Sequence, residues 1–231
     1  MVLVMFLGGL LLAQDPTAAL VSSAVSHEAK GEHALAIADY DRILKLRPDW
    51  VEAYNHRGYE HFKLGHIRPA IADFDRAIRL NPQQAPYHWQ RGIALYYAGR
   101  YEDGRKQFEL HQSVNGNDVE NAAWRYLCMA RARGADAARA ALMPIEQDPR
   151  VPMMQIYALY KGAATVDDVL AAAGTVSGQL FYAHLYIGLY YEAAGDAKRA
   201  REHIASAVEQ KADHYMGDVA RVHLQLMKPA P

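Results

Sequence analysis

Small, aromatic and proline positions along this chain recur at a fixed step of 34 residues, and no run alternates strictly between apolar and polar. Ala24, Gly58 and Gly92 fall in one column, Gly31, Gly65 and Gly99 in a second, Ala36, Ala70 and Gly104 in a third. Tyr40, Phe74 and Phe108 form a fourth, and Leu46-Arg47-Pro48 aligns with Leu80-Asn81-Pro82. Each column has a physical meaning. The first small residue sits in a helix at the point where a second helix crosses closely. The glycine seven positions on ends that helix, because glycine accepts the left-handed backbone of a C-terminal cap. The Ala or Gly five positions later lies in the second helix at the crossing. The aromatic four residues beyond it is one turn away on the same buried face. Proline then stops the second helix, since it pushes the preceding residue out of the α region. The pattern predicts antiparallel helix pairs over residues 17–50, 51–84 and 85–118.

The same spacing returns near the C-terminus, where Gly188, Gly195, Ala200, Ile204 and Ala207 repeat the intervals of Gly58, Gly65, Ala70, Phe74 and Ala77. Gly188 lies 96 residues after Gly92, six short of three whole steps. Residues 119–180 are therefore expected to hold two shortened, degenerate helix pairs. One pair falls at 121–133 and 135–146, the other at 152–161 and 166–173, with 174–178 as a flexible join. A last helix over 213–227 is expected to cap the apolar end of the stack. With β-branched residues scattered and strand patterns absent, the fold class is all-α. The chain divides into a signal-like apolar segment (1–16), three repeats (17–118), two degenerate repeats (119–180) and a final repeat with its capping helix (181–228).

A 34-residue period with this punctuation resembles the tetratricopeptide repeat (TPR), a helix–turn–helix unit that stacks into a superhelical solenoid. The resemblance implies a non-catalytic scaffold that binds a protein or peptide partner in a concave groove. It also implies which residues line that groove: Asn55, Tyr59, Phe62 and Lys63 in the second repeat, with Glu52. In the third repeat they are Trp89, Ile93, Tyr96 and Tyr97, and in the first Val21, Val25 and Glu28. Rigid aromatics on a concavity are good anchors, because they bury much area at low entropic cost. Repeats that grip a C-terminal carboxylate need Lys and Asn early in the first repeat, where this chain has Val21 and Val25. Chaperone-tail binding is not expected.

A narrower likeness lies in the C-terminal third. The run FYAHLYIGLYYEAAGD from Phe181, followed by Ala205-Ser206-Ala207-Val208-Glu209 and a closing helix, is similar to the end of NlpI-like bacterial lipoproteins. That resemblance implies export to the envelope, homodimers and a non-catalytic adaptor role. It differs at one place. Leu11-Leu12-Ala13 is followed by Gln14 rather than the cysteine that carries a lipid.

Composition narrows the chemistry. The chain has 231 residues, 51% hydrophobic, with a formal net charge of -1, which supplies no global attraction to nucleic acid or anionic membrane. Its one cysteine, Cys128, excludes an internal disulfide framework and reads as a small buried apolar residue. Residues 1–14 are uncharged and apolar. They read as a secretory signal core with a small-residue site near Ala13, as an apolar first helix, or as a retained anchor. A periplasmic or secreted location is expected, with membrane contact only through an uncleaved N-terminus and self-association through the same apolar end. A structural module whose groove holds a neighbouring chain is the alternative.

Eleven histidines raise a metal question. His56, His61 and His66 are five apart, which rotates them off one helical face, and no His-x-x-x-His pair occurs. No metal or cofactor is expected. Asp39 with Asp41, and Asp73 with Asp75, straddle the aromatic of a second helix and are expected to face solvent. An enzyme hidden in 119–178 would depend on Glu146, Asp148, Asp167 and Asp168, with no nucleophile elbow or phosphate loop beside them. Replacing Gly58 with Leu is predicted to overpack the second hairpin and cost roughly 1–3 kcal/mol. An unchanged melting temperature would contradict the hairpin register.

Overall fold

The computed structural model describes residues 16–227. The signal-like run, apart from residue 16, and the tail from Lys228 lie outside the described residues. The first hairpin is α1 (Pro16–Ala29) with α2 (His33–Leu46), the second α3 (Val51–Lys63) with α4 (Ile67–Leu80). The third pairs α5 (Trp89–Tyr97) with α6 (Tyr101–Gln112). The middle contains α7 (Val119–Arg133), α8 (Ala135–Ala140), α9 (Met153–Lys161) and α10 (Val166–Ala173). The chain closes with α11 (Ser177–Ala193), α12 (Ala197–Glu209) and α13 (Tyr215–Leu226). Among the described residues there is no strand.

The small-residue columns occupy the helix crossings. A Cβ at Gly58 would lie 2.7 Å from the Phe74 ring, one at Gly92 2.7 Å from the Phe108 ring, and one at Gly188 2.8 Å from Ile204. No side chain fits there. The glycines that follow, Gly31, Gly65 and Gly99, have φ of 70°, 73° and 72°, the left-handed caps that turn α1, α3 and α5 into their partners. The turn between the second and third hairpins departs from the pattern. Pro82 and Pro86 hold residues 82–87 in a 3-10 helix, so α5 starts only at Trp89 and is short.

The middle departs further. Tyr126 stands one step after Gly92, and its buried ring packs edge-on against Tyr160 of α9, 5.0 Å between centroids. A bulky ring at the crossing position takes the space a close second helix would use. The helix expected over 135–146 accordingly stops at Ala140, and Met143, preceding Pro144, is steered out of the α region. Residues 141–152 form an irregular loop instead. The join expected at 174–178 is also shorter, for α11 already begins at Ser177.

A polar column accompanies the apolar ones. Arg57, Arg91 and Arg125 follow the 34-residue step, each in the first helix of its pair, and each reaches sixteen residues back and sixteen forward. Arg57 bonds Asp41 (2.6 Å) and Asp73 (2.6 and 2.8 Å). Arg91 bonds Asp75 (2.6 Å) and Gln107 (3.0 Å), and Arg125 bonds Glu109 (2.8 and 2.9 Å) and the Ala141 carbonyl (2.5 Å). Each guanidinium thus stitches one hairpin to the next. The expectation that Asp39 and Asp73 face solvent is overturned: both are buried. Asp73 is held by Arg57, while Asp39 lies within 3.8 Å of His27 and 3.5 Å of Arg42. The carboxylates flank the buried aromatic closely enough for the first helix of the same hairpin to cover them, through His27 and Arg57.

Among the described residues, two apolar clusters result, a small one in the first hairpin around Ala24, Ala36, Tyr40 and Ile43, and a large one through the rest. Cys128 is buried in the larger, and burial pushes its thiol up to about 12. His88, the residue before α5, is 4% exposed and packs 6.1 Å from the Phe74 ring. Burial, with the charge of Arg91, lowers its pKa to about 4. Because the unfolded chain takes up this proton near pH 6.5 and the folded chain resists it until about 4, the contribution falls as pH drops through that window. Acidification from pH 7 to 4.5 should cost the native protein about 2–3 kcal/mol more than a His88→Gln variant. Parallel stability–pH curves from denaturant melts would refute it.

Candidate functional site

The predicted groove residues do come together, but they do not stand open. Helix α13 lies across the inner faces of α3 and α5. Its first residue, Tyr215, inserts between three rings: it meets Tyr59 edge-on at 5.8 Å, stacks on Phe62 at 5.5 Å and meets Trp89 edge-on at 5.1 Å. A turn from its end, His223 shares a 2.9 Å hydrogen bond between Nδ1 and the Tyr97 hydroxyl. Tyr59, Trp89 and Tyr97 are therefore half-buried beneath α13. Phe62, Ile93 and Tyr96 are wholly buried and serve the core rather than a groove surface. These three are corrections to the expected lining, and the reason is packing. Phe62 touches Tyr97 and Tyr215, while Tyr96 packs on Tyr101 and Trp124.

The two polar members differ. Lys63 is tied to the buried Glu60 (2.6 Å), which also faces His33 Nδ1 at 2.6 Å. Asn55 is half-buried, with an Oδ1 that lacks a hydrogen-bond partner. Of the first-repeat residues, Val25 is exposed, and Glu28 accepts from Tyr40 (2.8 Å) and pairs with His56 (3.1 Å). Burial raises the Glu28 pKa, but the His56 and Tyr40 bonds outweigh it and hold the carboxyl low.

Glu192 of α11 locks the closure. It accepts from the Tyr96 hydroxyl (3.2 Å), and Arg131 (3.3 Å) and His223 Nε2 (3.2 Å) approach it as ion-pair partners. Burial works against its charge, yet these neighbours hold its pKa below the ordinary carboxylate value. One carboxylate thus joins α5, α7, α11 and α13.

Where α13 begins, a cleft of about 360 Å³ remains open between it and helices α5, α6 and α7. Trp89, Phe108, Trp124 and Tyr215 form its apolar wall. Asp118, Glu120, Asn121 and Arg150 form its polar end. Asp118 caps α7 by accepting from the Glu120 amide (3.0 Å). Arg150 comes from the irregular 141–152 loop, where Asp148 holds it through Nε (2.9 Å) and Nη2 (2.6 Å). It then reaches Asp118 (2.7 Å) and Glu120 (2.5 Å). Asp148 is itself pinned by the Val119 amide (3.2 Å). Of the other carboxylates weighed in this segment, Asp168 closes a capping box with Thr165 at the start of α10. Among the described residues no group of three His, Cys, Asp or Glu is placed to hold a metal ion, and no helix is long and apolar enough to cross a membrane.

Sequence reasoning missed Trp124, Asp118, Glu120 and Arg150 as site residues. Trp124 lies in the degenerate region, and Arg150 sits in a loop where a helix ends early; neither occupies a repeat column. The arginine column, by contrast, was visible as Arg57, Arg91 and Arg125 at the same step as the glycines.

Residues 51–84, the second hairpin, match the tetratricopeptide repeat family. Among solved structures the chain is similar to a tetratricopeptide repeat protein from Parabacteroides merdae ATCC 43184. That match has 16% identity over 93% of this chain and 86% of that one, with a TM-score of 0.59. It is also similar to MamA, from residue 41 to its end, of Desulfovibrio magneticus RS-1, at 14% identity, 85% and 96% coverage and a TM-score of 0.55. Another MamA structure aligns at 17% identity, 84% and 91% coverage and a TM-score of 0.52. At these identities the likeness is one of fold.

If Tyr215 anchors α13, its removal should free the helix without unfolding the hairpins. Tyr215→Ala is expected to cost about 3 kcal/mol and to speed amide exchange across 215–226, leaving α3 to α6 protected. Unchanged exchange in α13 would show that other contacts hold it.

Proposed function

We propose that this chain, a tetratricopeptide-repeat protein, is a non-catalytic scaffold that holds a protein or peptide partner on its inner wall. One observation carries this reading: the wall already holds a helix, the chain's own α13, through an aromatic anchor set among Tyr59, Phe62 and Trp89. A surface that seats one aromatic side chain in this manner is chemically suited to anchoring a partner's side chain beside it. The cleft left between α5–α7 and the start of α13 continues that wall, with Trp89 shared by both. The mechanism is positioning. Rigid rings on a fixed stack lose little freedom on association, which lowers the entropic cost of capture.

Placement in the cell envelope rests on the uncharged apolar run over residues 1–14 and on the resemblance of the C-terminal third to envelope adaptors. Neither the hairpins nor the cleft depends on it.

A photo-crosslinking aromatic amino acid at position 89 should capture a discrete polypeptide from native extract. The same residue at Arg68, exposed on the outer helix α4, should not. Equal capture at both positions, or none at Trp89, would remove the inner wall as the binding surface.

A further inference from the structure

The polar end of the cleft is charged in one direction. Asp118 and Glu120, which line it, and Asp148 behind them all surround the single guanidinium of Arg150, a formal surplus of two negative charges. Every arm of that guanidinium is already engaged: Nε and Nη2 on Asp148, Nη1 on Glu120, Nη2 also on Asp118. Four of its five N–H groups are therefore occupied, and the three carboxylates around it disfavour an anion there. The start of α13 faces the same cleft, and Asp218 in its first turn offsets the positive end of that helix. Burial, with the nearby Asp118, raises the Glu120 pKa and outweighs the Tyr186 and Arg150 bonds.

Two further atoms point to a ligand. Asn121 and Trp124 both line the cleft and are both buried, yet the Asn121 Oδ1 and the Trp124 Nε1 have no hydrogen-bond partner. The Asn121 amide nitrogen is spent on the Phe108 carbonyl (3.1 Å) and Gln112 (3.0 Å), so what remains is a pure acceptor. Leaving buried polar atoms unpaired is costly, and native proteins keep few of them. An acceptor beside surplus carboxylates asks for a cationic donor. An indole N–H asks for an acceptor such as a main-chain carbonyl. The half-buried ring of Trp89, at the mouth of the cleft, suits an alkyl stem and a cation above it. A volume of about 360 Å³ fits one long side chain with its backbone, not a second helix.

We infer that this cleft is a socket for an arginine or lysine side chain of the protein partner. Its stem lies on Trp89, its cationic head on Asp118, Glu120 and Asn121 Oδ1, and its main-chain carbonyl on Trp124 Nε1. The inference rests on the scaffold reading and gives that partner a chemistry.

Titration with acetyl-Leu-Arg-Leu-amide, followed through the indole N–H signals, tests it. Trp89 and Trp124 should shift saturably, while Trp50, at the start of α3 beneath Arg47, stays fixed. The lysine tripeptide should behave alike, a citrulline tripeptide should bind about tenfold more weakly, and a glutamate tripeptide should not bind. Glu120→Gln and Asp118→Asn, which keep shape and cap, should each weaken the arginine tripeptide about fivefold. Equal responses to citrulline and arginine, or affinities untouched by both variants, would overturn the socket. So would free agmatine binding as tightly as the tripeptide, since the ligand would then be a small cation. A partner captured at Trp89 that binds Glu120→Gln as well as the native chain sinks the socket and spares the scaffold. Tripeptide binding with no polypeptide captured at Trp89 sinks the scaffold.

Discussion

At Gly58, Gly92 and Gly188 the side chain of the paired helix occupies the place where a Cβ would stand. That approach sets the distance between the two helices of each hairpin, and the distance fixes everything stacked on them. Phe74 and Phe108 reach the opposite backbone only because nothing intervenes. Where the small residue is lost, at Tyr126, the second helix shrinks to six residues and the chain runs on as a loop. The same loss delivers Arg150 to the cleft, so the most irregular backbone in the middle of the chain is also what charges the site.

The stack then closes on itself. A solenoid leaves an apolar wall on its inner face and an apolar surface at its end, and α13 covers part of both. Tyr215 fills the ring cage of α3 and α5, and Glu192 draws Tyr96, Arg131 and His223 together across four helices. Closure converts a long groove into a short cleft beside the first turn of α13. The proposed socket accordingly draws on a few atoms rather than on a broad surface.

Charge inside the stack is managed by reach. Arg57, Arg91 and Arg125 bridge successive hairpins through Asp41, Asp75 and Glu109, and Arg57 also compensates the buried Asp73 of its own hairpin. Removing one partner of such a pair leaves the other buried and uncompensated, a larger loss than the pair itself contributes. The Arg150 cluster breaks this balance, holding three carboxylates on one cation. That imbalance is what distinguishes the proposed socket from the structural stitching elsewhere in the stack.

The residue order by itself determined the hairpins, their period, their caps and the position of the closing helix, because crossings and turns depend on residues close in sequence. Gly58 against Phe74 is an interaction within one 34-residue unit, and its signature repeats. It also brought Tyr59 and Trp89 to one wall. Only the tertiary structure decided what covers that wall. Tyr215 lies far along the chain from Tyr59, and no local periodicity records their meeting. Asp73 looked outward when its own helix alone was considered, yet Arg57 of the preceding helix covers it. Asp118, Glu120, Trp124 and Arg150 came to line one cleft only when a shortened helix, an irregular loop and the returning α13 met at one place, and long-range packing alone fixes that meeting.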